Sequence, residues 1–259
     1  METENATVKR KTPVKKTLKI LWLVGLSILT LFFAAHLIWR FSGSNQWKFV
    51  QERNGVKVYS LKTPGSDLQK WKGVIRVHST LASLVKLFQD PYICLEVGCS
   101  APKMIERVDD QQQYYYFQNK LPFPFHARDF VMRVQFYQNP QTREVLVGVA
   151  ADPDKISTDN CCFRVTDMNN TWKFTPLADG QVEIEWVLNM NEGGFLPDAL
   201  LNMMHPEVMY SFLPTMQGFV DREKYQNAKF DFIKEKDQPD ATYLKSSAMQ
   251  IEDRVRQPQ

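Results

Sequence analysis

The chain has 259 residues, of which 44% are hydrophobic and 24% charged, an ordinary globular composition with ample length for a core. Its net charge of +3 is uneven: residues 1–19 hold six bases and two acids, so the remaining residues carry a net charge of −1. This body lacks the basic surface of nucleic-acid-binding proteins, and we predict no nucleic-acid partner.

Residues 20–39 form a stretch of twenty residues without a charge. This length crosses the hydrocarbon core of a bilayer once as a helix, whereas the apolar region of a cleaved signal peptide spans about 7–15 residues. We therefore predict a retained membrane anchor. The preceding bases place the N-terminus in the cytoplasm and the main domain on the other side of the membrane, in the periplasm if the source is bacterial.

Four cysteines, Cys94, Cys99, Cys161 and Cys162, suit an oxidising compartment. A bridge within the adjacent pair would be strained. Three alternatives stay open: one cysteine of each pair joined across, local closure of Cys94 on Cys99, or buried free thiols. No spacing suggests zinc, and we predict no metal and no cofactor.

Short β-like runs follow the anchor. Residues 47–51 and 55–61 flank Asn54-Gly55, the strongest short-range hairpin signal. A third strand is predicted at 71–78, and Thr80 begins a short helix with one apolar face. From Met104 onward, further strands are predicted at 113–119, 130–136, 145–151, 161–166, 171–176 and 181–189. Nine or ten strands joined by short turns predict an antiparallel sheet.

A long apolar helix follows the breaker at 191–194, and Pro197 suits its first turn. Pro206 and Pro214 are expected to break or kink this helix. Two apolar rows recur at helical spacing: Leu196, Leu200, Met204, Val208, Phe212, Met216 and Phe219, then Leu201, Met209, Leu213 and Val220. A face this wide and rich in methionine is typical either of a core helix or of one that covers a cavity for an apolar ligand.

A long sheet tends to curl, and one helix placed against it makes an α+β helix-grip fold. We predict a curved antiparallel sheet wrapped around a long C-terminal helix, preceded by one transmembrane helix. Residues 227–259 hold six bases, six acids and few apolar residues, which predicts a disordered polar tail. The predicted parts are a basic cytoplasmic tail 1–19, the anchor 20–39, a folded domain 45–226 and the tail 227–259.

The segment 121–131, LPFPFHARDFV, is the most distinctive stretch outside the helix, because two prolines precede Arg128-Asp129 and an apolar strand. Further motifs follow in order: Arg164, Trp172 with Pro176, Gly180, and GGFLPDALLN from Gly193 to Asn202. Together they resemble the START (steroidogenic-acute-regulatory-related lipid transfer) domain family over roughly residues 45–226. This chain departs from the family pattern at one place: a tryptophan often found after the first helix is missing, and residues 92–99 stand in its place.

The resemblance implies a tunnel between sheet and helix that holds one apolar ligand, a sterol, phospholipid or fatty acid, without chemistry. The residues expected to bind this lipid are Phe195, Leu196, Leu200, Met203, Met204, Val208, Met209, Phe212, Met216 and Arg128. Gly193-Gly194 is the expected hinge on which residues 193–205 open towards the membrane to pass a lipid.

An enzyme of cyclase or hydrolase type, acting on an apolar substrate in the same cavity, is the alternative function. His126 beside Arg128 and Asp129 could act as an acid–base group, but successive strand residues face opposite ways, so structural ion pairs are favoured. His78 and His205 are isolated and are expected in the core or at the surface. Since no phosphate loop, nucleophile elbow or HExxH motif occurs, we predict a membrane-tethered lipid-binding or lipid-transfer protein that is not an enzyme.

Overall fold

A computed structural model describes residues 14–158 and 161–236. Helix α1, Val14–Phe41, contains the predicted span 20–39. This helix is long and apolar enough to cross a membrane, and none of its apolar window is buried against the domain. A signal sequence near an N-terminus meets the same criteria of length and composition. Most of the predicted basic tail lies outside the described residues.

Within residues 14–158 and 161–236, eleven strands form one sheet. Their bounds are β1 Trp47–Arg53, β2 Val56–Leu61, β3 Lys70–His78, β4 Cys99–Arg107, β5 Gln112–Asn119, β6 Arg128–Gln138, β7 Val145–Ala151, β8 Phe163–Arg164, β9 Asp167–Pro176, β10 Gln181–Leu188 and β11 Met190–Asn191. The main path runs β1-β2-β3-β10-β9-β7-β6-β5-β4, with β11 paired to β9 and β8 to β6. The pairing along this path is antiparallel, so the predicted sheet is confirmed.

Two tight turns define hairpins of this sheet. Asn54 and Gly55 both have positive φ, 53° and 76°, which is the geometry that a two-residue hairpin loop requires. Asp179 and Gly180 have the same geometry, with φ of 57° and 69°, in the turn between β9 and β10. Because these turns set the register, Arg53 lies opposite Val56 and the alternate apolar residues of each strand point to one face.

Strand β8 departs from the prediction. The expected strand at 161–166 is reduced to Phe163 and Arg164, which pair in parallel with Arg128 and Asp129 of β6. A buried ion pair of 2.7 Å between Arg164 and Asp129 holds this short strand in place. The chain reaches that carboxylate only by running beside β6 in the same direction, so the expectation of antiparallel pairing is wrong here.

The α-helices that follow α1 lie against the apolar face of the sheet. Helix α2 is Leu81–Phe88, capped by the side chain of Thr80, and a 3-10 helix at Pro91–Val97 follows. Helix α3, Asp198–Phe212, is followed by a 3-10 turn at Leu213–Thr215 and by α4, Met216–Val220. The predicted break occurs at Pro214 but not at Pro206, where α3 continues because Leu201, His205 and Met209 keep one face buried.

The folded domain extends beyond residue 226. Ile233 is buried, and Gln138 exchanges two hydrogen bonds with the backbone of Lys234. The carboxylate of Glu235 accepts hydrogen bonds from the first two amides of α2, at 3.0 and 2.9 Å. Such a carboxylate at a helix N-terminus is stabilising. The prediction of a disordered tail is therefore wrong for residues 227–236, and residues 237–259 lie outside the described residues.

The cysteines form two local disulfides, Cys94–Cys99 and Cys161–Cys162. Gly98, with φ of 97°, turns the chain at the end of the 3-10 helix, so the Cα atoms of Cys94 and Cys99 come within 5.3 Å. Of the alternatives left open, local closure of Cys94 is the one found. Neither a bridge across the pairs nor free thiols occur among the described residues, and the adjacent pair is bonded despite the expectation.

Candidate functional site

A cavity of about 560 Å³ lies between the sheet and the helices. Its floor comes from the inward residues of the central strands, and its roof from α3, α4, the end of α2 and the 3-10 helix that follows α2. Most of its lining is aromatic or aliphatic; the apolar members are Leu87, Phe88, Pro91, Ile93, Val97, Tyr115, Phe117, Phe130, Met132, Val134, Val149, Met168, Trp172, Trp186, Leu188, Met190, Val208, Phe212, Met216 and Phe219.

Aromatic rings organise the floor. Trp172 of β9 and Trp186 of β10 are directly paired in the sheet, and their rings stack with centroids 4.6 Å apart. Phe212 of α3 contacts both rings edge-on, at 6.0 and 5.6 Å. The alternation of strand side chains puts both tryptophans on the inner face, where they meet the helix.

Helix α3 presents one face to the sheet and an adjoining face to the cavity. Met209 and Leu213 pack on Gly73 of β3, where a Cβ atom would lie only 2.5 Å from Leu213 Cδ1. The missing side chain at Gly73 therefore allows the helix to approach the sheet closely. Val208, Phe212 and Met216 line the cavity.

The other predicted lipid contacts do not line the cavity. Phe195 and Met203 are 97% and 71% exposed, while Leu200 and Met204 are half-buried. Leu196 and Met209 are buried elsewhere in the core. The reason is the placement of the first half of α3, which Asn202 fixes above the loop before β3 through hydrogen bonds to Asp67 and Gln69. The apolar stripe is thus longer than the cavity.

Arg128 does not line the cavity either. Its side chain is buried, and its guanidinium donates hydrogen bonds to the carbonyl oxygens of His126, Glu192 and Gly193. It thereby joins the start of β6 to the loop before α3. The ion pair expected around residues 128 and 129 forms instead between Asp129 and Arg164.

Three carboxylates reach the cavity wall: Asp90, Glu96 and Glu192. Burial raises the pKa of Asp90, but hydrogen bonds from Lys224 and Tyr225 bring it below its ordinary value. Glu96 pairs with Arg222. Burial raises the pKa of Glu192, against the opposing effect of Arg128. The two ion pairs tie the 3-10 helix to the segment after α4 and close that side of the cavity.

Several wall residues were missed by sequence reasoning. The 3-10 helix with its Cys94–Cys99 disulfide contributes one side, and no periodic pattern marks so short an element. His205 lines the cavity although its position between apolar residues resembled that of a core histidine. The period-two alternation in β9 and β10 was a usable signal for Trp172 and Trp186. No group of three candidate metal ligands occurs in the described part of the chain.

Known proteins share this architecture. The START domain model matches residues 42–225. An uncharacterised protein of Pseudomonas aeruginosa is 25% identical over 68% of this chain and 85% of its own length. The crystal structure of a STAR-related lipid transfer protein fragment from Xanthomonas axonopodis has a TM-score of 0.63 and 24% identity, covering 68% of this chain and 99% of the fragment. Human StAR-related lipid transfer protein 5 has a TM-score of 0.59 and 16% identity, covering 76% of this chain and 96% of its own.

The solved structures share the fold of this chain. The family model matches residues 42–225, which are most of the chain. The chain therefore belongs to the START domain family.

Proposed function

We propose that this protein binds one lipid in the cavity beneath α3 and α4 and holds or transfers it without chemistry. The observation that carries the proposal is the cavity itself, which at about 560 Å³ is of ligand size and mostly apolar. Solved relatives of the same fold are named as lipid transfer proteins, which supports this role. The alternative of an enzyme is less favoured, because two of the three carboxylates in the wall are in ion pairs.

The proposal includes a tether, with α1 as the membrane anchor of the lipid-binding domain. The end of α1 contacts the domain directly: the carbonyl of Arg40 accepts a 2.8 Å hydrogen bond from the amide of Gly65, and its guanidinium pairs with Asp67 at 3.4 Å. The backbone of Asp67 in turn accepts a hydrogen bond from Asn202 in α3. A domain connected in this way stays close to the bilayer, with the start of α3 on the membrane side.

The basic residues before the apolar span 20–39 favour a cytoplasmic N-terminus and a domain outside the cytoplasm, which is the periplasm in a bacterial cell. The two disulfides agree with an oxidising compartment.

Cavity occupancy tests the proposal. The full chain is reconstituted in phospholipid nanodiscs and released for native mass spectrometry, which weighs any lipid that stays bound. Phe212→Trp adds bulk inside the cavity, and we expect it to lose most of the retained lipid. Phe195→Trp is the matched control, since Phe195 is almost fully exposed. Retention of no lipid by the unmodified chain, or equal retention by all three proteins, would overturn the proposal.

A further inference from the structure

Two side chains in the cavity wall carry buried polar atoms that lack a hydrogen-bond partner among the described residues. They are both ring nitrogens of His205 and the indole Nε1 of Trp186. The two residues are only 2% and 8% exposed. Buried polar groups in folded proteins nearly always have partners, so unpaired polar atoms on residues that line a cavity call for one, and a bound ligand can supply it.

These two residues belong to one patch of the wall. Met209, one turn after His205, packs against Gly73 together with Leu213. Gly73 is the residue directly opposite Trp186 in the pairing of β3 with β10. Trp186 therefore lies beneath the turn of α3 that follows His205, and Phe212 closes the next turn at 5.6 Å from its ring.

The charges of the wall select against an anionic head group. Asp90, Glu96 and Glu192 line the cavity, whereas no lysine or arginine does so among the described residues. The bases next to these carboxylates already have partners. Lys224 pairs with Asp90 and Arg222 with Glu96, and Arg128 donates to backbone carbonyl oxygens. A ligand carboxylate or phosphate would therefore find no cation to pair with among the described residues of the wall.

The hydrogen-bonding pattern of the patch fits a hydroxyl group. Burial lowers the pKa of His205 to about 4, so its imidazole is neutral at pH 7 and offers one donor and one acceptor. The indole of Trp186 offers one donor. A hydroxyl oxygen can accept from the indole while its proton is donated to the unprotonated ring nitrogen of His205, so one hydroxyl pairs two of the three unpaired atoms.

The volume admits a long apolar chain. A methylene group is similar in size to a water molecule, which occupies about 30 Å³ in the liquid. The cavity of about 560 Å³ thus has room for at least roughly 19 such groups. One chain of about sixteen carbons with a small head fits this space.

We propose that His205 and Trp186 form a polar subsite for the uncharged hydroxyl head of a single-chain lipid, whose chain fills the aromatic floor of the cavity. The inference rests on the proposed function, since it names the ligand class of the same cavity. It assigns a ligand contact to His205, which the apolar pattern of α3 concealed.

A series of three probes tests the head-group preference on the unmodified full chain in nanodiscs. The probes are hexadecan-1-ol, hexadecanoate and hexadecane, each with the same photoactivatable diazirine near one chain end. Labelling of the peptide 205–219 is followed against the mole fraction of probe in the bilayer. We expect saturable labelling by the alcohol at a mole fraction about tenfold lower than for the other two, the effect of pairing otherwise unsatisfied polar groups.

Variants then test the residues. His205→Phe removes both nitrogens but keeps a ring, and we expect it to weaken labelling by the alcohol about tenfold while labelling by the alkane is unchanged. His78→Phe is the matched control, because His78 is exposed and outside the cavity. Circular dichroism establishes that each variant is folded.

The outcomes separate the two proposals. Saturable labelling that is equal for alcohol and alkane overturns the subsite and leaves lipid binding standing. An alcohol preference that persists in folded His205→Phe also overturns it. If none of the probes labels the cavity saturably, the subsite fails, and the lipid retention measured by native mass spectrometry decides the proposed function separately. If His205→Phe does not fold, the three probes on the unmodified chain still test the head-group preference.

Discussion

Arg128 Nη2 donates a 2.8 Å hydrogen bond to the carbonyl oxygen of Gly193, and its Nε donates one of 3.0 Å to the carbonyl of Glu192. The buried cation therefore holds the two-glycine loop that sequence reasoning proposed as a hinge for α3. Gly194 leaves room for the Arg128 side chain, because a Cβ atom at residue 194 would lie 3.1 Å from Arg128 Nη2. Any opening of α3 at this loop must break these hydrogen bonds or pivot beyond them.

The first prediction concerns this contact. Arg128→Lys replaces a planar fork by a single ammonium that cannot reach all three carbonyl oxygens. We expect the free energy of unfolding to fall by about 2 kcal/mol, and amide exchange in residues 192–196 to become faster. Urea unfolding and hydrogen exchange of the full chain in micelles measure both. Arg107→Lys, at an exposed ion pair, serves as the control; equal stability of the two variants would argue against the clamp.

The second prediction concerns motion of α3. Its first half has exposed apolar side chains, and Pro197 at its N-cap makes no side-chain hydrogen bond to the helix. Within strand residues 130–136, by contrast, residues 132–135 are paired on both sides, by β5 and β7. We expect amides of 195–205 to exchange faster than those of 130–136, since few contacts hold them. Equal protection would mean a static helix and a different route for the lipid.

The third prediction compares two glycines of the sheet. Gly73→Ala puts a methyl group 2.5 Å from Leu213 Cδ1, so the helix must shift, and we expect a loss of about 1–3 kcal/mol in unfolding free energy. Gly148→Ala in β7 meets no atom within 4 Å and is the matched control. Denaturant titration measures the unfolding free energy of both variants. A neutral Gly73→Ala would show that α3 is not packed closely against β3.

The fourth prediction concerns pH. His205 has a pKa of about 4 in the folded protein against 6.5 unfolded, so the unfolded state binds the proton first and stability falls as the pH drops from 6.5 towards 4. Between pH 7.5 and 5.0 this loss amounts to about 2 kcal/mol. Glu192, whose pKa is raised by burial, acts in the opposite direction.

The contribution of His205 to the pH dependence of stability is obtained by comparing the unmodified chain with a variant. Urea unfolding of the unmodified chain and of His205→Asn, both at pH 7.5 and 5.0, gives the loss of stability for each. We expect the loss to be larger by about 2 kcal/mol in the unmodified chain, because only it carries the buried imidazole. Parallel losses in the two proteins would contradict the burial of a neutral His205.

The fifth prediction concerns topology. A reporter enzyme that is active only in the cytoplasm is fused after residue 236, where the described domain ends. We expect little activity, because the bases before the apolar span 20–39 favour a cytoplasmic N-terminus and a domain across the membrane. The same reporter fused at residue 1 should be active. Strong activity of the fusion at 236 would rule out this orientation.

Much of the fold followed from local patterns. The turns at Asn54-Gly55 and Asp179-Gly180 and the alternation in β9 and β10 are properties of neighbouring residues, so the sequence alone determined the hairpins, the antiparallel sheet and the apolar span 20–39. The helical stripe that contains Val208, Phe212 and Met216 was readable for the same reason.

Only the tertiary structure decided the contacts between residues that are distant in the sequence. The parallel strand β8 depends on Asp129 meeting Arg164, and the folding of residues 227–236 depends on Gln138 and on the amides of α2. The extent of the cavity depends on where Asn202 and Gly73 place α3 over the sheet, which exposes Met203 and brings His205 to the wall. A periodic pattern specifies which face of a helix is apolar, but the partner of each turn is set by long-range packing, and that partner distinguishes a core residue from a ligand contact.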